Sequence, residues 1–290
     1  MQRRTFLQTS FLAATAMLLP PSSRLRLITR GDDLGCARSL NRAVKECYEK
    51  GILKNCSVLA ASPHVEEAAK LLAKAKGLCF GLHCDLTAEW DNVKWRPVAG
   101  GDKVPSLVDS NGYLHQTNNA VRASANADEA LIELQAQLDK ARKLGFNIRY
   151  ADLHMNTVQV VTGLPDKFGE WCRTNRLIDT RRIGGGLKLP PSSPVTRKHP
   201  GDYVVDVMNA LKAAPDGEYL MVGHLAYDDA EIRNLGHPGY SGEAVAHNLH
   251  WERLAYVDPR IVKFIKENGV QPIRYDETEA AREQMKLFKV

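Results

Sequence analysis

Two neighbouring aspartates, Asp32 and Asp33, stand in the stretch Gly31-Asp32-Asp33-Leu34-Gly35, directly after Arg24-Leu25-Arg26-Leu27-Ile28-Thr29. The latter reads as a short buried strand. Adjacent carboxylates at a strand end repel each other, and one must take up a proton unless a cation or a hydrogen-bond donor sits beside them. A divalent metal removes that cost and divides the labour, one Asp as ligand and the other as base. The plainer alternative is an Asp that caps a helix beginning near Ser39, with Gly35 turning the loop. Three histidines extend the pattern. His83 ends the predicted strand Leu78-Cys79-Phe80-Gly81-Leu82-His83, His154 lies at the end of the strand from Ile148 to Met155, and His224 ends the strand from Glu218. One His near a strand end is ordinarily a satisfied polar side chain. Five such groups at strand C-termini are different, because in a parallel barrel those ends share one face. One Asp and two His around a cation leave positions for water and substrate.

The elements that must position these residues alternate. Helical spacing of Leu40, Ala43, Val44 and Cys47 predicts a helix from Ser39 to Lys50, closed by Gly51. A buried strand follows at 55–61, a helix at 65–76 and the His83 strand at 78–83. Further helices are expected at 128–143, 164–176, 203–213, 243–256 and 259–268, with strands at 177–183 and 270–274 and a surface helix in the tail from Glu277. Strand and helix in turn, with short links, argue for parallel β/α units in one α/β domain. Two long loops break the rhythm. Thr87 to about Asn126 carries Trp90 and Trp95, and a loop of that length is commonly functional. Residues 184–201 form a Gly/Pro-rich second one.

The 290 residues suffice for one large domain with a sizeable core, and 44% hydrophobic with 25% charged residues is ordinary for a soluble globular protein. The formal charge of +5 includes Arg3 and Arg4; without them 37 Lys and Arg face 34 Asp and Glu, an excess of about +3. That is too small to argue for nucleic acid, and no Lys/Arg run appears. Arg3-Arg4-Thr5-Phe6-Leu7-Gln8, followed by the apolar run Phe11 to Leu19, reads as a twin-arginine signal peptide over residues 1–23, which predicts an exported, periplasmic protein with a domain from 24 to 290. The run is too short for a stable membrane span. Six cysteines show no paired spacing; Cys56, Cys79 and Cys84 read as core fillers.

With these motifs in hand, the chain resembles the YdjC-like carbohydrate deacetylases. Arg30-Gly31-Asp32-Asp33-Leu34-Gly35, then Asn41-Arg42-Ala43-Val44, Gly51 and Ser57, is similar to the opening N-A-D-D-x-G, N-x-A-I of that family. Gly81-Leu82-His83-Cys84-Asp85-Leu86-Thr87 is similar to its G-L-H-x-x-L-T, and Asp152-Leu153-His154 to its D-x-H. The resemblance implies a single distorted, TIM-like (β/α) barrel of about seven strands, with its active site at the C-terminal strand ends. It implies a metal-dependent hydrolase that deacetylates an N-acetylated mono- or oligosaccharide. Carried over residue by residue, Asp33, His83 and His154 would bind a divalent ion, zinc or magnesium; Asp32 would be the general base and His224 the general acid. Two departures stand out. Met155-Asn156-Thr157 follow the D-x-H where the family continues with histidines, and the family's His-Pro-Gly strand end appears as His224-Leu225-Ala226. His237-Pro238-Gly239-Tyr240 is therefore a second source of the acid, with His224 favoured because it ends a strand. Trp90, Trp95, His237 and Tyr240 are candidate substrate contacts, and packing the loop onto the barrel is the competing role for the two tryptophans. Another metal-dependent hydrolase on the same scaffold, esterase or phosphoesterase, and a non-catalytic carbohydrate-binding protein are the alternative readings. The sequence leaves a homodimer open.

Overall fold

Strand β1 (Leu25–Leu34) is the element from which the sheet is built. In the computed structural model, which describes residues 25–184 and 199–289, it pairs in parallel with three others. β6 (Gly217–Gly223) follows it from Leu25 to Gly31, β7 (Val270–Ile273) pairs with its first four residues, and β2 (Asn55–Val58) with its later ones. Beyond β2 come β3 (Cys79–Cys84), β4 (Ile148–Leu153) and the two-residue β5 (Ile178–Asp179). All pairings are parallel, and the curled sheet runs β5-β4-β3-β2-β1-β6, an open, distorted form of the expected barrel. The seven strands fall where the sequence puts them, though β2 ends at Val58 and β5 covers only Ile178–Asp179 of the expected 177–183, giving way to a 3₁₀ turn at Thr180–Arg182. Their connecting helices are α1 (Arg38–Lys50), α2 (Val65–Leu72), α3 (Asn118–Ser124), α4 (Ala127–Lys143), α5 (Thr157–Val160), α6 (Leu164–Thr174), α7 (Pro200–Ala213), α8 (Ala230–Arg233), α9 (Gly242–Val257), α10 (Pro259–Glu267) and α11 (Glu279–Lys286). No helix of the described residues is long and apolar enough to cross a membrane. The signal peptide expected over 1–23 lies outside the described residues, as does most of the second long loop.

Two apolar clusters hold the sheet. The larger packs helices onto its outer face, with Leu40, Val44 and Cys47 of α1 and Leu134 and Leu138 of α4 among the residues removed from water. The smaller joins Ile28, Cys79, Tyr150, Ile178, Ile273 and Tyr275 with Ala281 of α11. Tyr150 and Tyr275 lie 4.4 Å apart between ring centroids, and the Tyr150 hydroxyl is 3.0 Å from Ser57 Oγ. Glycine at 81 is required there, because a Cβ would sit 2.0 Å from the Tyr150 ring. All six cysteines are free and buried, as core fillers should be.

The expectations need three corrections. β1 does not stop at Thr29; it continues to Leu34, with Arg30 buried among polar partners inside the fold. The first long loop contains α3, capped by Thr117, whose side chain accepts from the Ala120 N–H. Only Val121 of α3 is buried, so it has no apolar stripe for periodicity to detect. Pro200 and Gly201, expected in the second loop, open α7, where Pro suits the first turn.

Carboxylates fasten the first loop. Glu133 of α4 accepts from the N–H groups of Val98 and Ala99 at 2.9 and 2.8 Å, and from Gln137 Nε2 at 2.7 Å. Burial outweighs those donors and raises the Glu133 carboxyl from 4.5 to about 7. The folded state therefore holds this proton more tightly than the unfolded chain. Its contribution to stability is full below about pH 4.5 and is lost as pH rises through about 7. Over that window the change is on the order of 3 kcal/mol. Denaturant unfolding should find Glu133→Gln gaining on the parent protein between pH 5 and pH 8; an offset between the two that stays constant with pH would contradict this assignment.

Candidate active site

The register of β1 against β2 shifts between Gly31 and Leu34, so Asp32 and Asp33 form a bulge without partners in β2. Asp33 takes left-handed backbone at φ 61°. In a regular strand two successive side chains point to opposite faces. The bulge breaks that alternation, and both carboxylates line the same cavity of about 540 Å³ at the C-terminal ends of the strands. His83, His154, His224, Arg30, Glu89 and Glu252 line it too. A larger groove of about 950 Å³ borders α1, α9 and α10 and contains none of these groups.

Asp33, His83 and His154 each offer a ligand atom within 4.8 Å of the others, and all three are buried. Asp33 Oδ1 lies 3.2 Å from His83 Nε2 and 3.2 Å from His154 Nδ1. Neither nitrogen is aligned to donate: this oxygen is buried with no hydrogen-bond partner. An orphaned buried carboxylate oxygen is costly. One oxygen and two imidazole nitrogens converging without hydrogen-bonding one another form the donor set that suits a divalent cation. The residues present therefore fit the metal that the sequence led us to expect. Burial opposes the charge on Asp33, and His154, His83 and His224 outweigh it, holding its carboxyl well below the usual range.

Each imidazole is steered from behind. His83 Nδ1 is 2.8 Å from Asp152 Oδ2, and His154 Nε2 is 3.1 Å from Glu89 Oε2. Such carboxylates fix the ring orientation and raise the basicity of the ligating nitrogen. Burial lowers the His83 pKa, but Asp152, Asp32 and Asp33 together lift it to about 10. Burial likewise works against the His154 cation, and Glu89, Asp85 and Asp33 push its pKa well up. Cation binding would have to displace these protons, so affinity for metal rises with pH.

Asp32 is held differently. Arg30 Nε and Nη2 grip its two oxygens at 2.6 and 2.8 Å, a forked contact. The third guanidinium nitrogen donates to the Tyr275 hydroxyl at 3.0 Å and lies 3.3 Å from Asp152 Oδ2. Asp32, His83 and Asp152 also converge, but Arg30 already supplies the positive charge there. A carboxylate oxygen has two lone pairs, so this grip orients Asp32 and leaves it able to accept a proton.

His224 directly follows β6, its Nε2 4.0 Å from Asp33 Oδ2. Its backbone N–H donates to Glu252 Oε2 at 2.6 Å, and its Nδ1 is 3.4 Å from the same oxygen. Burial depresses its pKa, while Glu252, Asp33 and Asp32 raise it to about 9. These carboxylates favour its protonated form, which an acid needs.

The structure brings together Asp32, Asp33, His83, His154 and His224, and lines the same cavity with Trp90, His237 and Tyr240. His237 stacks on Trp90 at 6.0 Å between centroids, and its Nδ1 is 3.0 Å from the Pro238 carbonyl, so it shapes the cavity wall. Trp95 is not brought in. Its indole is buried and donates to Asp85 Oδ2 at 2.8 Å, which gives it the loop-packing role. Sequence reasoning missed Arg30, Asp152, Glu89 and Glu252 as site residues. The first two stood inside quoted motifs; the partnership of His224 with a glutamate on α9 leaves no trace in spacing.

The sequence profile of the family described as YdjC-like protein matches residues 26–267. A carbohydrate deacetylase of Thermoanaerobacter pseudethanolicus is 27% identical over 255 residues, covering 86% of this chain and 97% of that protein. Another, from Geobacillus stearothermophilus, is 27% identical over 259 residues, covering 86% and 96%. Among solved structures, a protein of Enterococcus faecalis V583 described as a cellobiose-phosphate cleavage protein superposes with a TM-score of 0.71 at 20% identity, covering 88% of this chain and 98% of that one. At that identity the match speaks for the fold alone.

Proposed function

The chain belongs to the YdjC-like family, and from that premise we propose that it is a metal-dependent hydrolase removing the acetyl group from an N-acetylated sugar. The observation that carries the reading is the buried, unpartnered Oδ1 of Asp33 between His83 Nε2 and His154 Nδ1, with Asp32 and His224 on the same cavity wall. Carbohydrate deacetylases among the relatives support the substrate class.

Asp33, His83 and His154 would hold the cation. When bound, it polarises an amide carbonyl and makes water a stronger acid. Asp32, oriented by Arg30, takes a proton from the attacking water as the new C–O bond forms. His224, whose protonated form Glu252 and the Asp pair favour, gives its proton to the amide nitrogen as the C–N bond breaks. Acetate and a free amine are released. The division follows the environments: the carboxylate that meets the two imidazole nitrogens is left to the cation, and the one gripped by Arg30 is free to act as base.

Acetate release from a panel of N-acetylated mono- and oligosaccharides tests this directly. Purified protein with added zinc or magnesium should release acetate, and chelator should lower the rate by roughly 10³-fold, the worth of several kcal/mol of charge stabilisation. Protein that carries stoichiometric metal yet releases acetate from no panel member would overturn the reading.

A further inference from the structure

The turn after His154 has no part in the chemistry above, yet its backbone is strained. Met155 and Asn156 both hold left-handed conformations, φ 48° and 56°. For Met155 this is costly, whereas Asn tolerates it, and such costs gather where function needs them. The turn is fastened on both sides: Asn118 Nδ2 donates to the Met155 carbonyl at 2.8 Å, and Thr157 Oγ1 donates to the His154 carbonyl at 3.1 Å. Both Met155 and Asn156 line the cavity beside Asp33 and His154. Met155 is 40% exposed, a large apolar group kept in water. The Asn156 amide is exposed and makes no hydrogen bond among the described residues; it does not even cap α5, which it precedes.

We propose that Met155 and Asn156 form the recognition surface for the sugar ring, Asn156 hydrogen-bonding a ring hydroxyl while Met155 packs against the ring's C–H face. The inference rests on the deacetylase reading and adds to it where specificity resides. An amide both donates and accepts, so it can satisfy a hydroxyl fully. A thioether is polarizable and adapts to an irregular apolar face. Both groups sit within two residues of His154, so a ring held there keeps its acylamino substituent at the reacting centre.

Two variants test this on an N-acetylated sugar that the parent enzyme turns over, and on a set of analogues each lacking one ring hydroxyl. Asn156→Gly removes the amide and suits the left-handed backbone, so its thermal midpoint should not fall. Its KM should rise about tenfold, the worth of one hydrogen bond, with kcat within about threefold of the parent. On one deoxy analogue that penalty should vanish. Met155→Gln, of similar shape but polar, should raise KM on every analogue alike. Zinc affinity, measured by calorimetry, should be unchanged in both. Parent turnover with KM unaltered in both variants overturns this inference and leaves the deacetylase reading intact. Loss of zinc affinity, or a fall in kcat with no analogue sparing it, overturns it too, since the turn would then only support His154. A parent enzyme without turnover on any sugar overturns the deacetylase reading itself, and this inference with it.

Discussion

Asp33→Asn should fold like the parent protein, bind zinc at least about 100-fold more weakly and lose roughly 10³-fold in kcat/KM. The substitution keeps one oxygen, removes the charge and turns the other oxygen into an NH₂ group. Backbone geometry does not confound it, because Asn tolerates the φ of 61° as readily as Asp does. What changes is the electrostatic balance. In the parent, the Asp33 carboxylate helps to raise the pKa of His83, His154 and His224. With an amide in its place, all three should move back toward the ordinary histidine range, and NMR titration of the imidazoles can follow this without any activity assay. Isothermal titration with zinc gives the affinity, and circular dichroism confirms the fold. An Asp33→Asn variant that binds zinc as tightly as the parent would remove Asp33 from the ligand set and shift attention to the Asp32, His83 and Asp152 group, where Arg30 competes.

The parts of this site that were legible in the sequence are those that depend on one strand at a time. His83, His154 and His224 could be placed because each follows an apolar run whose length marks a strand, and parallel β/α order brings strand ends to one face. The seven strands followed from the same reasoning. What stayed hidden depends on two segments at once. The bulge at Asp32 and Asp33 is a property of β1 against β2, and no local feature of the Asp pair declares it. Strict alternation would have sent one of the two carboxylates away from the cavity. Arg30 stands in the sequence only as the first residue of the motif that carries the Asp pair. Asp152 on β4 and Tyr275 near the C-terminus, together with Asp32, make it a buried centre of charge. Trp95 shows the converse error: an aromatic in a long loop resembles a platform for a ligand until its buried partner, Asp85, is known. The α3 helix was missed for a simpler reason, its single buried side chain.

Asp32 poses the harder separation, because the same side chain is proposed as the base and is the partner of a buried guanidinium. Asp32→Asn should lower kcat by about 10²- to 10⁴-fold, the range for a general base. It should also destabilise the fold. One amide oxygen can still accept from Arg30, but the amide NH₂ then faces a second donor, and removing one member of a buried ion pair costs roughly 3–5 kcal/mol. Asp152 and the Tyr275 hydroxyl remain beside Arg30, which places the expected loss at the low end of that range. Activity alone therefore cannot tell a missing base from a disturbed site. The double variant Arg30→Met with Asp32→Asn can. Methionine fills the unbranched volume without a charge to satisfy, and Asp152 keeps His83 as its partner. Stability, read from denaturant unfolding, should recover most of the loss, because replacing a buried pair as a unit is far less costly than breaking it. Turnover should not recover, since no group in the double variant can take the proton. If instead kcat returns to within about tenfold of the parent as stability returns, then Asp32 serves to hold Arg30, and the base must be sought among the other carboxylates of the cavity, Glu89 and Glu252 first.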